Sequence, residues 1–281
     1  MNIKEVKSLL DKYNLNAKKG FGQNFLVDDN ILKKIAYSLN DKKYSGVIEV
    51  GPGLGSLTRY LVETYDQVLC YEIDTDMIMV LNDTIQSDKL MIKEGDFLKS
   101  NVSKDIEKFF NGPVCLIANL PYYITSPILL KLLEEVREIK DIVIMIQKEV
   151  AERFVAKPNT KDYNALSVLI QYFTKAEKLF DVSPSAFVPA PKVSSSVIHL
   201  CYKDEEWLKG KDLEFFLKFN RNIFKQRRKT LVNNISASYP ISKDDAGKIL
   251  EENGFSKTIR SEVLSVEEIV KLSMIFKERL S

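Results

Sequence analysis

The sequence predicts an α/β fold, a parallel sheet with helices on both faces, followed by a small all-helical domain. Three observations carry this. Short apolar, β-branched runs at residues 47–50, 68–73, 90–93, 114–118 and 142–146 alternate with helix-period segments at 56–64, 76–85, 103–109 and 127–135. Successive βα units of that kind build a parallel sheet. The runs are almost continuously apolar, as strands covered on both faces must be. From residue 205 onward the pattern is helical only, at 212–224, 227–236, 243–253 and 266–279.

Between these regions, 149–156 and 163–173 have helical spacing and are separated by the turn-rich Lys157-Pro158-Asn159-Thr160. Two further strands are expected at 178–182 and 193–202, with Pro184, Pro189 and Pro191 punctuating the loop between them. The pattern changes within 203–209, so the expected domains are 1–203 and 204–281.

A chain of 281 residues is long enough for one well-cored domain and a smaller second one. Apolar content of 45% and charged content of 28% are those of an ordinary globular protein. No apolar run approaches the roughly 18 residues that span a bilayer. Residues 1–19 are polar and lysine-rich without a cleavage site, so a cytoplasmic protein is expected. Cys70, Cys115 and Cys201 lie inside apolar runs with no C-x-x-C, which reads as buried thiols and not as a metal site. The single histidine, His199, reads as structural, which argues against a Ser-His-Asp triad, and no zinc-deaminase H-x-E with P-C-x-x-C is present.

Glu49-Val50-Gly51-Pro52-Gly53-Leu54-Gly55 follows the first strand and opens a helix. Glycines at such a turn let backbone approach a ligand closely. A dinucleotide fingerprint needs a glycine where Ser56 stands. The E-x-G-x-G-x-G form suits S-adenosylmethionine, which has no pyrophosphate to seat. Glu72 ends the second strand about 20 residues after Gly51, the offset at which an acid reaches ribose hydroxyls. Asp96 ends the third strand, where it can accept from a cofactor's adenine amine. Each feature alone describes a tight turn with solvated carboxylates; their order on three consecutive strands favours a cofactor site.

Asn119-Leu120-Pro121-Tyr122 ends the fourth strand, at the sheet edge where open α/β folds bind ligands. An adenine amine is a poor nucleophile because its lone pair is delocalised into the ring. The Asn119 side-chain carbonyl and the Leu120 main-chain carbonyl can each accept one amine hydrogen and favour a pyramidal nitrogen. Pro121 fixes the loop, and Tyr122 offers a ring on which a flipped base can stack.

These stretches, with Gln23-Asn24-Phe25-Leu26, residues 147–153 and residues 187–193, resemble the ribosomal RNA adenine dimethyltransferases, and in particular the small-subunit branch of that family. The resemblance runs from Lys18 to about Asn234. It implies a Rossmann-like class I methyltransferase sheet of seven strands, the last antiparallel, with a helical C-terminal domain. It implies that Gln23, Asn24 and Leu26 line an S-adenosylmethionine pocket with Glu49, Gly51, Gly53, Glu72, Asp96 and Asn119, and that Phe187 stacks on the target base opposite Tyr122. It also implies methylation of two adjacent adenines in a hairpin near the 3′ end of small-subunit rRNA, in an immature subunit; a monomer is the default expectation. No metal is expected. Asn164 departs from the glycine that many relatives carry. Two alternatives stay open: the large-subunit methyltransferase that confers macrolide resistance, and a non-catalytic assembly or transcription factor on the same fold.

Net charge is only +2, but residues 215–243 contain no acid while Lys218, Arg221, Lys225, Arg227, Arg228, Lys229 and Lys243 are basic. Arg221, Lys225, Arg227, Arg228 and Lys229 are the expected RNA contacts, since duplex RNA is held largely by shape and phosphate. Phe219 and Phe224 within this tract are expected to be core. The tract Lys18-Lys19-Gly20-Phe21-Gly22-Gln23-Asn24 is a second basic candidate.

Overall fold

Val47, Ile48 and Val50 have no polar face to turn to solvent, and the strand they form is buried along its whole length. In the computed structural model, which describes residues 1–18, 20, 22–204 and 208–280, that strand is an interior one, third in a seven-stranded sheet. The strands in chain order are Phe25–Leu26 (β1), Gly46–Val50 (β2), Gln67–Glu72 (β3), Leu90–Glu94 (β4), Val114–Asn119 (β5), Ile139–Gln147 (β6), Thr174–Val182 (β7), Phe187–Val188 (β8) and Ser195–Tyr202 (β9). The sheet order is β4-β3-β2-β5-β6-β9-β7. β2 is parallel to β3 and β5, β3 to β4, and β5 to β6, while β9 runs antiparallel to β6. Strand order reverses between β2 and β5, so the crevice beyond their carboxyl ends is the topological switch point, where such sheets bind ligands.

The helices are Ile3–Lys12 (α1), Asp29–Ala36 (α2), Thr58–Thr64 (α3), Thr75–Thr84 (α4), Val102–Phe109 (α5), Thr125–Glu135 (α6), Lys148–Phe154 (α7), Ala165–Phe173 (α8), Gly210–Ile223 (α9), Leu231–Ser238 (α10), Lys243–Glu252 (α11) and Val266–Leu280 (α12). No described helix is long and apolar enough to cross a membrane. The two-stranded pairing of β1 with β8, Phe25 opposite Val188 and Leu26 opposite Phe187, was not expected. Neither α1 nor α2 was anticipated, although Asn2 and Asp28 cap them in the usual way.

The chain divides into two compact units. One comprises 1–151 and 177–202, the other 152–176 and 203–281. The expected division at 203/204 therefore differs by residues 152–176. The reason is packing. Tyr163 and Val168 are buried in one cluster with Phe216, Phe219, Ile223 and Phe276, and the Asn220 amide donates to the Ala165 carbonyl at 2.9 Å. Residues 205–207, within the expected boundary, lie outside the described residues. Asn164 caps α8 from an extended backbone, accepting from Leu166 N at 2.8 Å, a position that requires no glycine.

Within the second unit the expected helix at 227–236 begins instead at Leu231, because the Thr230 hydroxyl accepts from Asn233 N and caps α10 there. Residues 225–229 form a turn, held by Asn234, whose amide donates to the carbonyls of Ile223 (2.8 Å) and Gln226 (3.2 Å). Phe219 is fully buried and Phe224 packs against the same cluster, as expected.

His199 lies on β9 with Nε2 at 2.5 Å from the buried Asp141 carboxylate, which also takes Lys42 at 2.6 Å and the Tyr44 hydroxyl. Burial opposes ionisation of Asp141, but these partners outweigh it and hold the carboxyl below its ordinary range. This cluster surrounds the start of β6, at the opposite end of the sheet from the switch point.

Candidate active site

The loop after β2 takes its shape from glycine. Gly51 and Gly53 have φ of +70° and +58°, a region costly for residues with a Cβ. Gly51 N donates to the Tyr71 carbonyl at 2.9 Å and Gly53 N to Glu72 Oε2 at 3.0 Å, so β3 fastens the loop. A Cβ at Gly53 would lie 3.3 Å from the Phe25 ring. Gly55, at φ +78°, also serves packing: a Cβ there would stand 2.6 Å from Ile85 and 2.8 Å from Leu81.

Two carboxylates lie beside this loop. Glu72 is 6% exposed and accepts from the amides of Gly53, Ile73 and Asp74 at 3.0, 2.9 and 3.0 Å. Burial raises its pKa, with the three amides opposing. Glu49 is 2% exposed, and its Oε2 accepts from the Thr58 hydroxyl at 2.7 Å and the Cys70 thiol at 3.5 Å. Burial pushes its carboxyl up to about 7, with the Glu72 charge adding to the effect. Asp96 caps the short turn Phe97–Lys99 by accepting from Leu98 N at 2.9 Å.

The N-terminal wall is built from residues 22–26. Gln23 accepts from Lys18 N at 2.8 Å and donates to Asp74 at 2.9 Å. The Asn24 amide donates to the Gly22 carbonyl at 2.9 Å. Leu26, on β1, faces Phe187 across the small ladder, and Phe187 is 3% exposed. Lys18 is held by Asp74 at 2.7 Å and Asp76 at 2.6 Å, so it is not the free cation its basic tract suggested; Lys19 and Phe21 of that tract lie outside the described residues.

At the end of β5, Leu120 N donates to the Met145 carbonyl at 3.2 Å, which fixes the loop to β6. The Pro121 carbonyl is taken by Ile124 N and the Thr125 hydroxyl, both at 3.2 Å. Among the described residues, no group bonds to the Asn119 carboxamide or donates to the Leu120 carbonyl. The Tyr122 hydroxyl pairs with Ser195 Oγ at 2.7 Å, which sets its ring; burial raises its pKa and Ser195 opposes.

The three loops and the N-terminal wall enclose one cavity of about 220 Å³ at the switch point. It brings together Gln23, Asn24, Leu26, Glu49, Gly51, Gly53, Glu72, Asp96, Asn119, Leu120, Pro121, Tyr122 and Phe187. The cavity also takes in Tyr123 and Ile73, 55% and 49% exposed, which sequence reasoning missed. A Cβ placed on Gly22 would meet the Tyr123 ring at 3.2 Å, so that aromatic closes over the N-terminal wall. Adjacency to Tyr122 was the only signal for Tyr123.

In the second unit, Arg221, Lys225, Arg228 and Lys229 are exposed on α9 and the following turn. Arg227 is engaged within the unit, donating to the Lys161 carbonyl at 2.6 Å and to Glu262 at 3.3 Å.

Residues 14–272 match the family model for ribosomal RNA adenine dimethylase. A ribosomal RNA small subunit methyltransferase A of Lactococcus lactis is 42% identical over 276 residues, covering 97% of this chain and 94% of that one. A dimethyladenosine transferase from Plasmodium falciparum superposes with a TM-score of 0.75 at 28% identity, covering 91% of this chain and 98% of that one. The 23S rRNA methyltransferase ErmE gives a TM-score of 0.63 at 25% identity over 90% and 100% of the two chains.

Proposed function

The chain belongs to the ribosomal RNA adenine dimethylase family, and on that premise we propose that it transfers methyl groups from S-adenosylmethionine to N6 of two adjacent adenines in a hairpin near the 3′ end of small-subunit rRNA. The observation that carries this is the pair of acceptors without a described donor, Asn119 and Leu120, in the same cavity as the glycine loop, Glu72 and Asp96.

The residues fit the cofactor. Gly51 and Gly53 remove side chains where a ligand must meet backbone, Glu72 is held rigidly for ribose hydroxyls, and Asp96 can accept from an adenine amine. The cofactor, when bound, supplies an electrophilic methyl carbon. The protein's share is to position the other reactant. Asn119 Oδ1 and the Leu120 carbonyl accept the two N6 hydrogens of the target adenine, which turns the nitrogen lone pair out of conjugation. Tyr122 and Phe187 hold the flipped base by its faces. Ordering of two reactants in one cavity accounts for much of the acceleration, and no strong base is required until the methylated nitrogen sheds its proton to solvent. Glu49, bonded to Thr58 and Cys70, supports the loop from below.

The RNA is held outside the pocket by Arg221, Lys225, Arg228 and Lys229, with Arg227 shaping their turn. The substrate is the immature small subunit, the enzyme acts as a monomer, and its compartment is the cytoplasm.

Purified protein with labelled cofactor and small-subunit rRNA should yield dimethyladenosine by nucleoside mass spectrometry. Asn119→Ala should lower turnover by about 10²–10³-fold, the cost of losing one preorganised transition-state partner, with RNA affinity kept. Near-full turnover in that variant would overturn the proposed roles.

A further inference from the structure

Asp74 follows Glu72 by two residues, is 3% exposed, and takes no part in the chemistry described above. It has three partners. Its Oδ1 accepts from Asp76 N at 3.1 Å, which caps α4, and from Lys18 Nζ at 2.7 Å. Its Oδ2 accepts from Gln23 Nε2 at 2.9 Å. Lys18 N in turn donates to Gln23 Oε1 at 2.8 Å, so Lys18, Gln23 and Asp74 close a ring of bonds. Asp76 adds a second carboxylate to Lys18 at 2.6 Å.

The geometry points to Asp74 as a positioning residue for the cofactor: through Lys18 and Gln23 it fastens the wall formed by Gly22, Gln23 and Asn24 against the pocket, and so sets how long the cofactor is retained. This rests on the cofactor reading above. Gly22 and Asn24 lie on the cavity and are joined by the Asn24 amide. Gly22 also sits under the exposed Tyr123 ring. Release of the ring at Asp74 therefore frees one end of a segment whose other end is held by β1. The carboxylates of Asp74 and Asp76 raise the pKa of Lys18, so its charge is present throughout the working range. The Lys18 ammonium is part exposed, which makes this latch sensitive to salt in a way that the buried amide bonds of Glu72 are not.

The test uses Asp74→Asn and Lys18→Met. Asparagine keeps one oxygen to cap α4, but it removes the charge that pairs with Lys18 and puts an amide donor where Oδ2 accepts from Gln23. Binding of S-adenosylmethionine is followed by calorimetry at low and high salt, with kcat and KM measured for both substrates. The expected result is a roughly tenfold rise in cofactor Kd and KM in each variant, within the usual range for linked sites. The double variant should be no weaker than either single one, kcat and RNA KM should be nearly unchanged, and the salt dependence of cofactor binding should be reduced. Lys18→Arg should restore most of the affinity. Hydrogen exchange at residues 22–26 should accelerate in both variants. Unchanged cofactor affinity in Lys18→Met, or unchanged exchange at 22–26, would overturn the proposal. A wild-type protein that binds no S-adenosylmethionine would instead defeat the cofactor reading, and the exchange measurement still judges the latch.

Discussion

A carboxylate 2% exposed inside a sheet covered on both faces must find partners or keep a proton, and Glu49 does both in part. Thr58 and Cys70 stabilise its charge, but burial is the larger effect and lifts its pKa from 4.5 to about 7. Between these values the folded chain holds a proton that the unfolded chain has released. The contribution of this group to stability therefore falls as pH rises through that window and is most favourable below it. Glu49→Gln keeps an acceptor for Thr58 without the charge. The variant should gain thermal stability over wild type at about pH 8, and the gain should disappear near pH 4.5. A difference in Tm that does not vary with pH would show that Glu49 is not the titrating group. At this scale legibility followed contiguity. Asn119, Leu120, Pro121 and Tyr122 stand in one unbroken stretch, and all four line the cavity. The ring of Lys18, Gln23 and Asp74 spans more than fifty residues of sequence, and no local pattern announces it.

Among the elements, four of the five parallel strands, β2, β3, β5 and β6, were visible because burial on both faces leaves an almost unmixed apolar run, whereas β4 is only part buried. β1 and β8 were not visible. Two residues each, they exist because they pair with one another across the chain, a nonlocal fact without a period. The turn at 225–229 was hidden for a different reason. Its arginines and lysines are good helix formers, and the stop comes from the Thr230 cap and from Asn234 bonding to Ile223 and Gln226. That turn displays cations at fixed positions. Replacement of Arg221, Lys225 and Arg228 by Glu should weaken RNA binding and flatten its log–log salt dependence, each lost phosphate contact removing about 0.9 from the slope if duplex DNA is the guide. Arg227→Ala should act otherwise, through lower thermal stability, since its bonds go to the Lys161 carbonyl and Glu262. An unchanged slope in the triple variant would assign the tract to ordinary solvated surface.

Over the whole molecule, one unit contains the sheet and pocket and the other a helical cluster closed by residues 152–176, which the sequence pattern assigned to the sheet domain because their partners, Phe216 and Phe219, lie fifty residues later. A pocket of this kind treats any flipped adenine alike. The small-subunit and large-subunit readings rest on the same proposed acceptors in this chain, so no active-site variant separates them. Choice of RNA must come from surfaces outside the cavity, and these are modest. Net charge is +2, Lys18 is paired with Asp74 and Asp76, and the exposed Arg227 is bonded to the Lys161 carbonyl and Glu262. A net charge this small limits the phosphate contribution to nucleic-acid affinity, so the shape of a folded particle is expected to add to the binding. Purified protein and labelled cofactor should therefore modify immature small-subunit particles, giving dimethyladenosine at two neighbouring positions, while protein-free large-subunit rRNA remains a poor substrate. Label found mainly in large-subunit rRNA, at a single adenine, would reject the small-subunit assignment and leave the pocket chemistry intact.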